Sequence, residues 1–255
     1  MRRFFIDDIT GDSREVLIRG PEFVHLKKVL RLGEGARVSV FNGRGLELKG
    51  KVIEVGSAEA RVEIEGRVES GSESPLKIVL FQGFLKGDRP EFIVQKATEL
   101  GVREVVFYTT GRTVPDISGD RVKRRLARWS RIAVEAAKQC GRAWVPDIAF
   151  GDFPGVLALY PGATRIALYE GEGTQGLREA LKDKRGKDVA VLIGPEGGFS
   201  VEELSEAVSA GFIPVGLGPR ILRSETATLA VLSIIQYELG DLSSPPVKAG
   251  IPETS

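Results

Sequence analysis

The chain has one cysteine, Cys140, and one histidine, His25, among its 255 residues. A disulfide framework needs pairs of cysteines and a zinc site needs several Cys or His ligands. This composition therefore excludes the first and argues strongly against the second. A Ser-His-Asp triad would have to use His25, which lies far in the sequence from the other candidate residues. We expect a site that uses no metal and no histidine base.

Long apolar runs and an excess of one charge are also missing. No run approaches the roughly 20 residues of a membrane-spanning helix, and nothing at the start resembles a secretory signal, so we expect a cytoplasmic protein. Lys and Arg number 36 against 35 Asp and Glu, which gives a formal net charge of +1. The chain as a whole therefore does not attract nucleic acid, and any basic surface must be local.

Two segments of different pattern follow each other along the chain. Residues 1–70 contain short strands with turn signals between them and one helix over 21–30, which is typical of a small β-barrel. Residues 69–75 are polar and indicate a linker. From 75 to 240 strands alternate with helices, which predicts an α/β domain with a mostly parallel sheet and helices on both faces. Residues 241–255 are rich in Pro and Ser, and we expect a disordered tail.

The hydrophobic pattern also predicts the elements of the α/β segment. We expect strands over 77–81, 104–109, 165–169, 189–193 and 214–217, and helices over 89–100, 120–141, 176–183, 201–210 and 224–239. The last helix is apolar on nearly all sides. Either it is central to the fold or it also packs on a second subunit.

One stretch of the second segment, residues 189–203, predicts a central strand, a glycine turn and the start of a helix. Val189–Ile193 is typical of a strand buried on both faces, and Pro195 ends it because proline has no N–H for a sheet ladder. Two glycines follow, and Ser200 with Glu203 then forms a capping box that starts a helix. Free N–H groups at the carboxyl end of a central strand are where ligands of open α/β sheets bind. The alternative is a plain connection between strand and helix.

Three strand-to-helix junctions, 168–173, 194–200 and 217–227, can converge on one rim of the sheet. Each is rich in Gly or Pro, which suits recognition by backbone N–H and C=O groups and favours an adenosine over a triphosphate. A phosphate-binding loop lacks its lysine, because Leu177 stands at that position, and no dinucleotide-binding glycine motif follows an early strand. Arg220 and Arg223, beside the third junction, are candidates for a functional role.

The helix predicted over 120–141 carries charge of almost one sign opposite its apolar stripe. Between positions 121 and 142, Glu135 is the only acid, and the basic residues are Arg121, Lys123, Arg124, Arg125, Arg128, Arg131, Lys138 and Arg142. Solvated helices ordinarily mix both signs, so this pattern favours contact with phosphates. The alternative is a solvated face paired with acids from elsewhere in the fold.

The glycine turn and the third junction together resemble the SPOUT methyltransferases. The first reads Gly-Pro-Glu-Gly-Gly-Phe-Ser over 194–200, and the second reads Leu-Gly-Pro-Arg-Ile-Leu-Arg-Ser-Glu-Thr-Ala over 217–227. Three further segments narrow the resemblance to one group within these methyltransferases. They are residues 25–31, 95–102 and 135–142. Together they are similar to the bacterial enzymes that methylate N3 of a uridine, U1498, in 16S ribosomal RNA. The similarity covers residues 1–240.

This resemblance implies features that the residue pattern does not show. Residues 1–70 would form a PUA-like domain that holds RNA, and residues 75–240 would form a SPOUT domain with a deep trefoil knot, a rare exception to unthreaded topology. The cofactor would be S-adenosyl-L-methionine. The partners would be 16S ribosomal RNA in the small subunit and a second copy of the chain, with the active site near the subunit interface.

The junctions and the resemblance together give two sets of candidate binding residues. The residues expected to bind the cofactor are Leu168, Tyr169, Glu170, Ile193, Gly194, Pro195, Glu196, Gly197, Gly198, Leu217, Gly218, Ile221, Leu222, Arg223, Thr226 and Ala227. The residues expected to contact RNA are Arg2, Arg3, His25, Lys27, Arg31, Lys86, Arg89, Arg112, Arg124, Arg128, Lys138 and Arg142.

The chemistry of uridine N3 gives the candidate catalytic residues. N3 belongs to a weakly acidic imide and is a poor nucleophile until it loses its proton. The reaction therefore needs a proton acceptor, or donors that stabilise the resulting anion on O2 and O4. Arg220 and Arg223 are the candidate donors, and Glu196 and Glu225 are the candidate acceptors. We expect Arg223 to matter most.

Three other functions are open at this stage. Another SPOUT activity would place the methyl group on a ribose 2′-oxygen or on a different base. A ribosome-assembly or RNA-binding factor would keep the fold and the cofactor without turnover. A nucleotide-dependent oxidoreductase is disfavoured because its glycine fingerprints are missing.

Overall fold

The computed structural model describes residues 1–68, 72–110 and 119–245, and these fall into two units. The first comprises Met1–Glu73 and Val134–Val145, and the second comprises Ser74–Ala133 and Pro146–Ser255. A 21-residue helix, α3 below, therefore contributes its C-terminal part to the first unit, an exchange that the predicted segments 1–70 and 75–240 do not include. Most of the predicted tail, 246–255, lies outside the described residues, so its disorder stays a prediction.

The first unit is built on a five-stranded sheet. Its strands are β1 Arg2–Phe5, β2 Glu15–Arg19, β3 Arg37–Phe41, β4 Glu47–Val55 and β5 Glu59–Arg67. Their order is β1-β3-β4-β5-β2, antiparallel except for the parallel pair β1 and β3. The sheet is an open half-barrel with β1 and β2 at its two edges. Alternate residues of the strands, such as Phe4, Ile18 and Val40, form its core.

The predicted helix over 21–30 is present but changes its winding. It begins as α1, Gly20–Val24, and continues as a π-helical turn over His25–Val29. Pro21 suits the first turn because the N–H groups of that turn have no acceptor within the helix, so proline loses no hydrogen bond there. Leu26 from the π-helical turn is buried in the half-barrel core. The hydrophobic spacing indicates a helix at this place, but it does not distinguish the wider turn.

The second unit is an α/β layer built on a seven-stranded sheet. Its strands are β6 Ile78–Gly83, β7 Glu104–Thr109, β8 Asp147–Asp152, β9 Thr164–Leu168, β10 Gln175–Gly176, β11 Val189–Ile193 and β12 Ile213–Gly216. Its helices are α2 Arg89–Glu99, α3 Asp120–Cys140, α4 Phe153–Ala158, α5 Leu177–Leu181, α6 Val201–Ser209 and α7 Ser224–Glu238. The strand order is β10-β12-β9-β11-β6-β7-β8, and all of its pairs are parallel.

The sheet therefore confirms the predicted α/β class with a parallel sheet. The central strands β6 and β11 are buried along their whole length, as their continuous apolar sequences indicate. The sequence prediction missed β8 and β10, which form the two edges of the sheet, and the six-residue helix α4. Edge strands and single-turn helices carry too few apolar residues to give a clear period.

The boundary between the two units falls between Glu73 and Ser74, inside the linker predicted over 69–75, but both of these residues are held by hydrogen bonds. Glu73 accepts hydrogen bonds from Trp144 N at 2.8 Å and from the Arg142 guanidinium within the first unit. Ser74 is buried in the second unit and donates to Gln236 Oε1 at 2.8 Å. Polar composition alone does not distinguish a linker that makes no contacts from one whose polar groups are hydrogen-bonded to the units on either side. Residues 69–71 lie outside the described part of the chain.

Candidate active site

The register of the central strands places their carboxyl ends side by side. Ile193 at the end of β11 pairs with Leu168 at the end of β9 and with Gln82 near the end of β6. Leu168 in turn pairs with Val215 of β12. The segments that follow these strands therefore begin at one edge of the sheet, as the sequence predicts for its three junctions.

The glycine turn after β11 is held by contacts on both sides. Gly198 adopts a left-handed conformation at φ 68° and donates its N–H to Pro195 O at 3.0 Å. Tyr108 from β7 donates to the Ile193 carbonyl at 2.8 Å, and burial raises the pKa of this phenol well above its usual value. Tyr108 therefore stays a hydrogen-bond donor. Its position in the middle of an apolar strand gave no sign of this role.

Close backbone approach explains a glycine that the sequence reading did not single out. A Cβ on Gly83, the last residue of β6, would lie 2.3 Å from Pro195 N and 2.7 Å from the Gly194 carbonyl carbon. No real Cβ reaches such distances, so the turn can pack against β6 only if position 83 is glycine. The predicted capping box follows the turn and is confirmed, because Ser200 and Glu203 exchange both hydrogen bonds at the start of α6.

A cavity of about 410 Å³ opens where these junctions meet. Its volume lies within the roughly 300–1,000 Å³ of small-molecule sites. Every residue predicted to bind the cofactor lines it except Thr226. The predicted catalytic residues Arg220, Arg223 and Glu196 line it as well, whereas Glu225 is not among the lining residues. The sequence reading missed Phe199, Val215 and Ser224, which complete the wall.

An ion cluster joins the glycine turn to α2 and α7. Arg89 donates to Glu196 Oε1 at 2.6 Å, and its Nε lies 3.9 Å from Glu225 Oε1. The backbone N–H of Lys86 also donates to Glu196 Oε1, at 3.2 Å. Both candidate proton acceptors therefore face the same guanidinium, and Arg89 lies against the glycine turn.

Ser224 does not act as a helix cap. Helix α7 begins after Arg223, which makes no side-chain capping bond. The Ser224 hydroxyl donates instead to the Gly194 carbonyl at 3.1 Å. The predicted helix start at position 224 is therefore confirmed, and the Ser224 hydroxyl is used across the fold and not along its own helix.

Two family models match the chain. The RNA methyltransferase domain matches residues 72–236, which include the whole cavity wall, and the RNA methyltransferase PUA domain matches residues 18–65. Ribosomal RNA small subunit methyltransferase E of Bacillus subtilis is 31% identical over 248 residues, which cover 93% of this chain and 97% of that protein. The protein of the same name from Synechocystis is 33% identical, covering 83% of this chain and 69% of that protein.

The chain belongs to the ribosomal RNA small subunit methyltransferase E family.

Two solved structures are similar to this family member in fold as well as in sequence. Methyltransferase E from Neisseria gonorrhoeae, bound to S-adenosylmethionine, is 31% identical with a TM-score of 0.86 and covers 95% of this chain and 99% of its own. A methyltransferase from Legionella pneumophila in complex with the same cofactor is 32% identical with a TM-score of 0.85, covering 94% and 98%. The half-barrel and the parallel α/β unit therefore correspond to the PUA and methyltransferase parts of the family fold.

Three of the residues predicted to contact RNA are both ion-paired and little exposed in this family member. Arg3 binds Glu47 at 2.8 Å and donates to backbone carbonyls near the end of α3. Arg142 is 2% exposed and binds Glu73. Lys138 binds Glu22 at 2.9 Å. Because these cations are already paired and little exposed within the first unit, the structure disfavours them as RNA contacts and favours a role in internal pairing.

The pairing of Lys138 also changes its titration. Burial acts to lower the pKa of the ammonium group, but hydrogen bonds and charges from Glu22 and Glu135 outweigh it, and the pKa is raised. Lys138 therefore stays charged inside the pair. The alternative interpretation of the basic helix, pairing with acids from elsewhere in the fold, holds for this end of α3.

The remaining basic candidates lie at the surface in both units. Arg124 and Arg128 are exposed on α3, and Lys86 is exposed at the cavity rim near the half-exposed Arg89. In the first unit, the exposed candidates are Arg2, Lys27 and Arg31, and His25 is half-buried against Phe4. Arg112 lies outside the described residues.

Within the described ranges of the chain, no three side chains of His, Cys, Asp or Glu come together in a group that could hold a metal ion. No helix there is long and apolar enough to cross a membrane.

Proposed function

We propose that this chain transfers the methyl group of S-adenosylmethionine to N3 of a uridine, U1498, in 16S ribosomal RNA of the small subunit. The observation that carries the proposal is the cavity at the aligned ends of β9, β11 and β12. Its wall follows the same fold as in relatives that were solved with S-adenosylmethionine. Its junction sequences are those on which the resemblance to the uridine-N3 enzymes rests.

The wall of the cavity suits this cofactor. Backbone of the glycine turn and of the 217–223 segment provides N–H and C=O groups for an adenosine, and Gly218 at φ 93° allows a conformation that a side chain would disfavour. Leu168, Leu222 and Ile193 supply apolar surface. Glu170 and Glu196 at the wall complement a positively charged sulfonium. We propose the lining residues of the predicted set as the cofactor site.

The cofactor supplies an activated methyl group, and the residues of this chain have to prepare the nucleophile. Arg223 and Arg220 at the wall can donate to O2 and O4 of the uracil and stabilise the anion that N3 needs. Glu196 at the wall can accept the N3 proton. Glu225 is a weaker candidate, because it lies behind Arg89 and outside the wall.

Arg223 is the residue whose loss should affect turnover most. In Arg223→Ala, we expect turnover at saturating RNA and cofactor to fall by roughly 10²-fold or more, because removing one donor to a developing oxyanion costs about that much. Steady-state kinetics with Arg178→Ala as control measures it, since Arg178 is exposed on α5 and does not line the cavity. Near wild-type turnover in Arg223→Ala would show that the assignment is wrong.

We propose that the RNA is held by basic residues that reach the surface of each unit. In the second unit these are Arg124 and Arg128 on α3, together with Lys86 and Arg89 at the rim. In the first unit, Arg2, His25, Lys27 and Arg31 lie around the helix and edge strand β1. Ribosomal RNA as the substrate also places the protein in the cytoplasm.

We propose a homodimer on the basis of helix α7. The helix buries Val231 and Ile235 in its own unit, yet Ile234 and Tyr237 are exposed on its other side. Leu242, just after the helix, is also exposed. A single chain therefore leaves apolar surface open along α7. Analytical ultracentrifugation should give twice the chain mass, and Ile234→Asp with Tyr237→Asp should give the monomer. The knot implied by the resemblance stays a prediction.

A transfer assay tests the proposed function. Labelled S-adenosylmethionine is incubated with the protein and with small or large ribosomal subunits from cells that lack the modification. We expect label in the RNA of the small subunit alone. Label in the large subunit would overturn the substrate assignment. Cofactor binding without label in either subunit would instead support a non-catalytic RNA-binding factor.

A further inference from the structure

A relay of buried hydrogen bonds lies directly behind the cavity wall. Gln82 near the end of β6 and Thr228 in α7 are both 0% exposed, and neither lines the cavity. Thr228 Oγ1 donates to Gln82 Oε1 at 2.8 Å, and Gln82 Nε2 donates to Ser224 Oγ at 3.0 Å. Ser224 Oγ then donates to Gly194 O at 3.1 Å. The relay thus ends at the glycine turn of the cavity.

The amide of Gln82 sets the direction of this relay. Its Nε2 also donates to Gly83 O at 3.1 Å, and because a carbonyl can only accept, this contact fixes which end of the amide is the nitrogen. The Ser224 hydroxyl accepts from Nε2, so its single proton is left for the Gly194 carbonyl. Gln82 therefore decides where the Ser224 proton points.

We propose that Gln82 is a positioning residue for the cofactor site. Ser224 and Gly194 both line the cavity, one at the start of α7 and the other at the end of β11. By directing the Ser224 proton to Gly194 O, Gln82 holds these two parts of the wall in the geometry that binds S-adenosylmethionine. The inference rests on the proposed function of the cavity.

A second buried glutamine on α7 provides a matched control. Gln236 is 1% exposed, donates through Nε2 to Leu100 O at 2.9 Å and accepts from Ser74 Oγ. It lies toward the opposite end of the helix from Ser224 and does not line the cavity. Gln82→Glu and Gln236→Glu therefore make the same chemical change at two buried amides, only one of which reaches the cavity wall.

The experiment measures cofactor affinity, turnover and thermal stability in the full chain. In Gln82→Glu the side chain no longer has two N–H donors, so it cannot bond both Gly83 O and Ser224. We expect the Kd for S-adenosylmethionine to rise about tenfold, the effect of roughly one hydrogen bond, with turnover at saturating cofactor little changed. Gln236→Glu should lower the melting temperature and leave the Kd unchanged.

A double-mutant cycle separates positioning from general stability. If Gln82 acts through Ser224, then Gln82→Glu combined with Ser224→Ala should bind the cofactor as weakly as Ser224→Ala alone. Additive losses, an unchanged Kd in Gln82→Glu, or equal Kd changes in the two glutamine variants would each overturn the inference. If Gln82→Glu does not fold, Gln82→Met takes its place, because it keeps an unbranched side chain of similar size and removes the amide donor to Ser224. A wild-type chain that binds no S-adenosylmethionine would overturn the proposed function itself.

Discussion

Single residues hold the cavity wall through contacts to its backbone atoms. Tyr108 bonds the Ile193 carbonyl, Ser224 bonds the Gly194 carbonyl, and Gly83 leaves room for the turn between them. The contacts from Tyr108 and Ser224 are both made to carbonyl oxygens, whereas Glu196 of the turn is bound through its carboxylate to Arg89 and to the Lys86 N–H. The carbonyls at the end of β11 are therefore fixed from two neighbouring elements, β7 and α7.

Replacing Gly83 should weaken cofactor binding although Gly83 does not line the cavity. In Gly83→Ala the new Cβ forces the Gly194–Pro195 backbone away from β6, and overpacking of this kind costs about 1–3 kcal/mol. We expect a weaker affinity for S-adenosylmethionine by isothermal titration calorimetry and a lower melting temperature. Gly162→Ala is the control, because a Cβ there meets nothing within 4 Å. Wild-type affinity in Gly83→Ala would contradict the close packing of the turn.

Tyr160 should make stability depend on pH in the alkaline range. Burial, and then its hydrogen bond to Glu104, raises the pKa of this phenol from 10.0 to about 12. A pKa that is higher in the folded state gives stability that is fully present below pH 10 and is lost as the pH rises through about 12. Denaturant titrations should show a smaller alkaline loss of unfolding free energy in Tyr160→Phe. An identical loss in both proteins would contradict this assignment.

Among the elements, α3 serves two purposes along its length. Its C-terminal end is tied by ion pairs into the first unit, whereas its N-terminal half shows exposed arginines. The sequence shows the excess of positive charge but not the acids that oppose it. Glu22 lies on α1 and Glu73 precedes β6, so only the folded chain brings them to Lys138 and Arg142.

The salt dependence of RNA binding should separate the two ends of α3. Arg124→Ala and Arg128→Ala should each reduce the slope of log K against log salt by roughly 0.7–0.9, the effect of one released counterion. Filter binding of small-subunit RNA over a salt series measures this slope. Arg178→Ala, which removes another exposed, ion-paired arginine, this one on α5, should leave the slope unchanged. Equal effects of all three substitutions would mean that α3 contributes only general charge.

Most elements of the second unit could be predicted from the sequence because buried strands and amphipathic helices leave strong periods. Strands β7 and β11 match their predicted bounds, and α3 matches within one residue. The three junctions could be placed at one edge because parallel strands share a direction. The polar relay could not be predicted, because Gln82 and Thr228 are 146 positions apart and become neighbours only when β6 packs against α7.

At the scale of the whole molecule, the chain combines a half-barrel that corresponds to the PUA domain of its family with a parallel α/β unit that carries the cavity. Family membership accounts for this combination, and the family match over 72–236 contains the cavity wall. The names of its relatives do not specify which atom of the ribosomal RNA is methylated. The proposed function specifies that atom as N3 of a uridine.

Identification of the methylated nucleoside tests this claim most directly. Small subunits that lack the modification are incubated with the protein and isotopically labelled S-adenosylmethionine. Their RNA is then digested to nucleosides and separated by liquid chromatography with mass spectrometry. We predict that the label comigrates with 3-methyluridine, that it maps to U1498 in the RNA, and that Arg223→Ala abolishes most of it. Label on a ribose or on another base would contradict the account while keeping the fold and the cofactor.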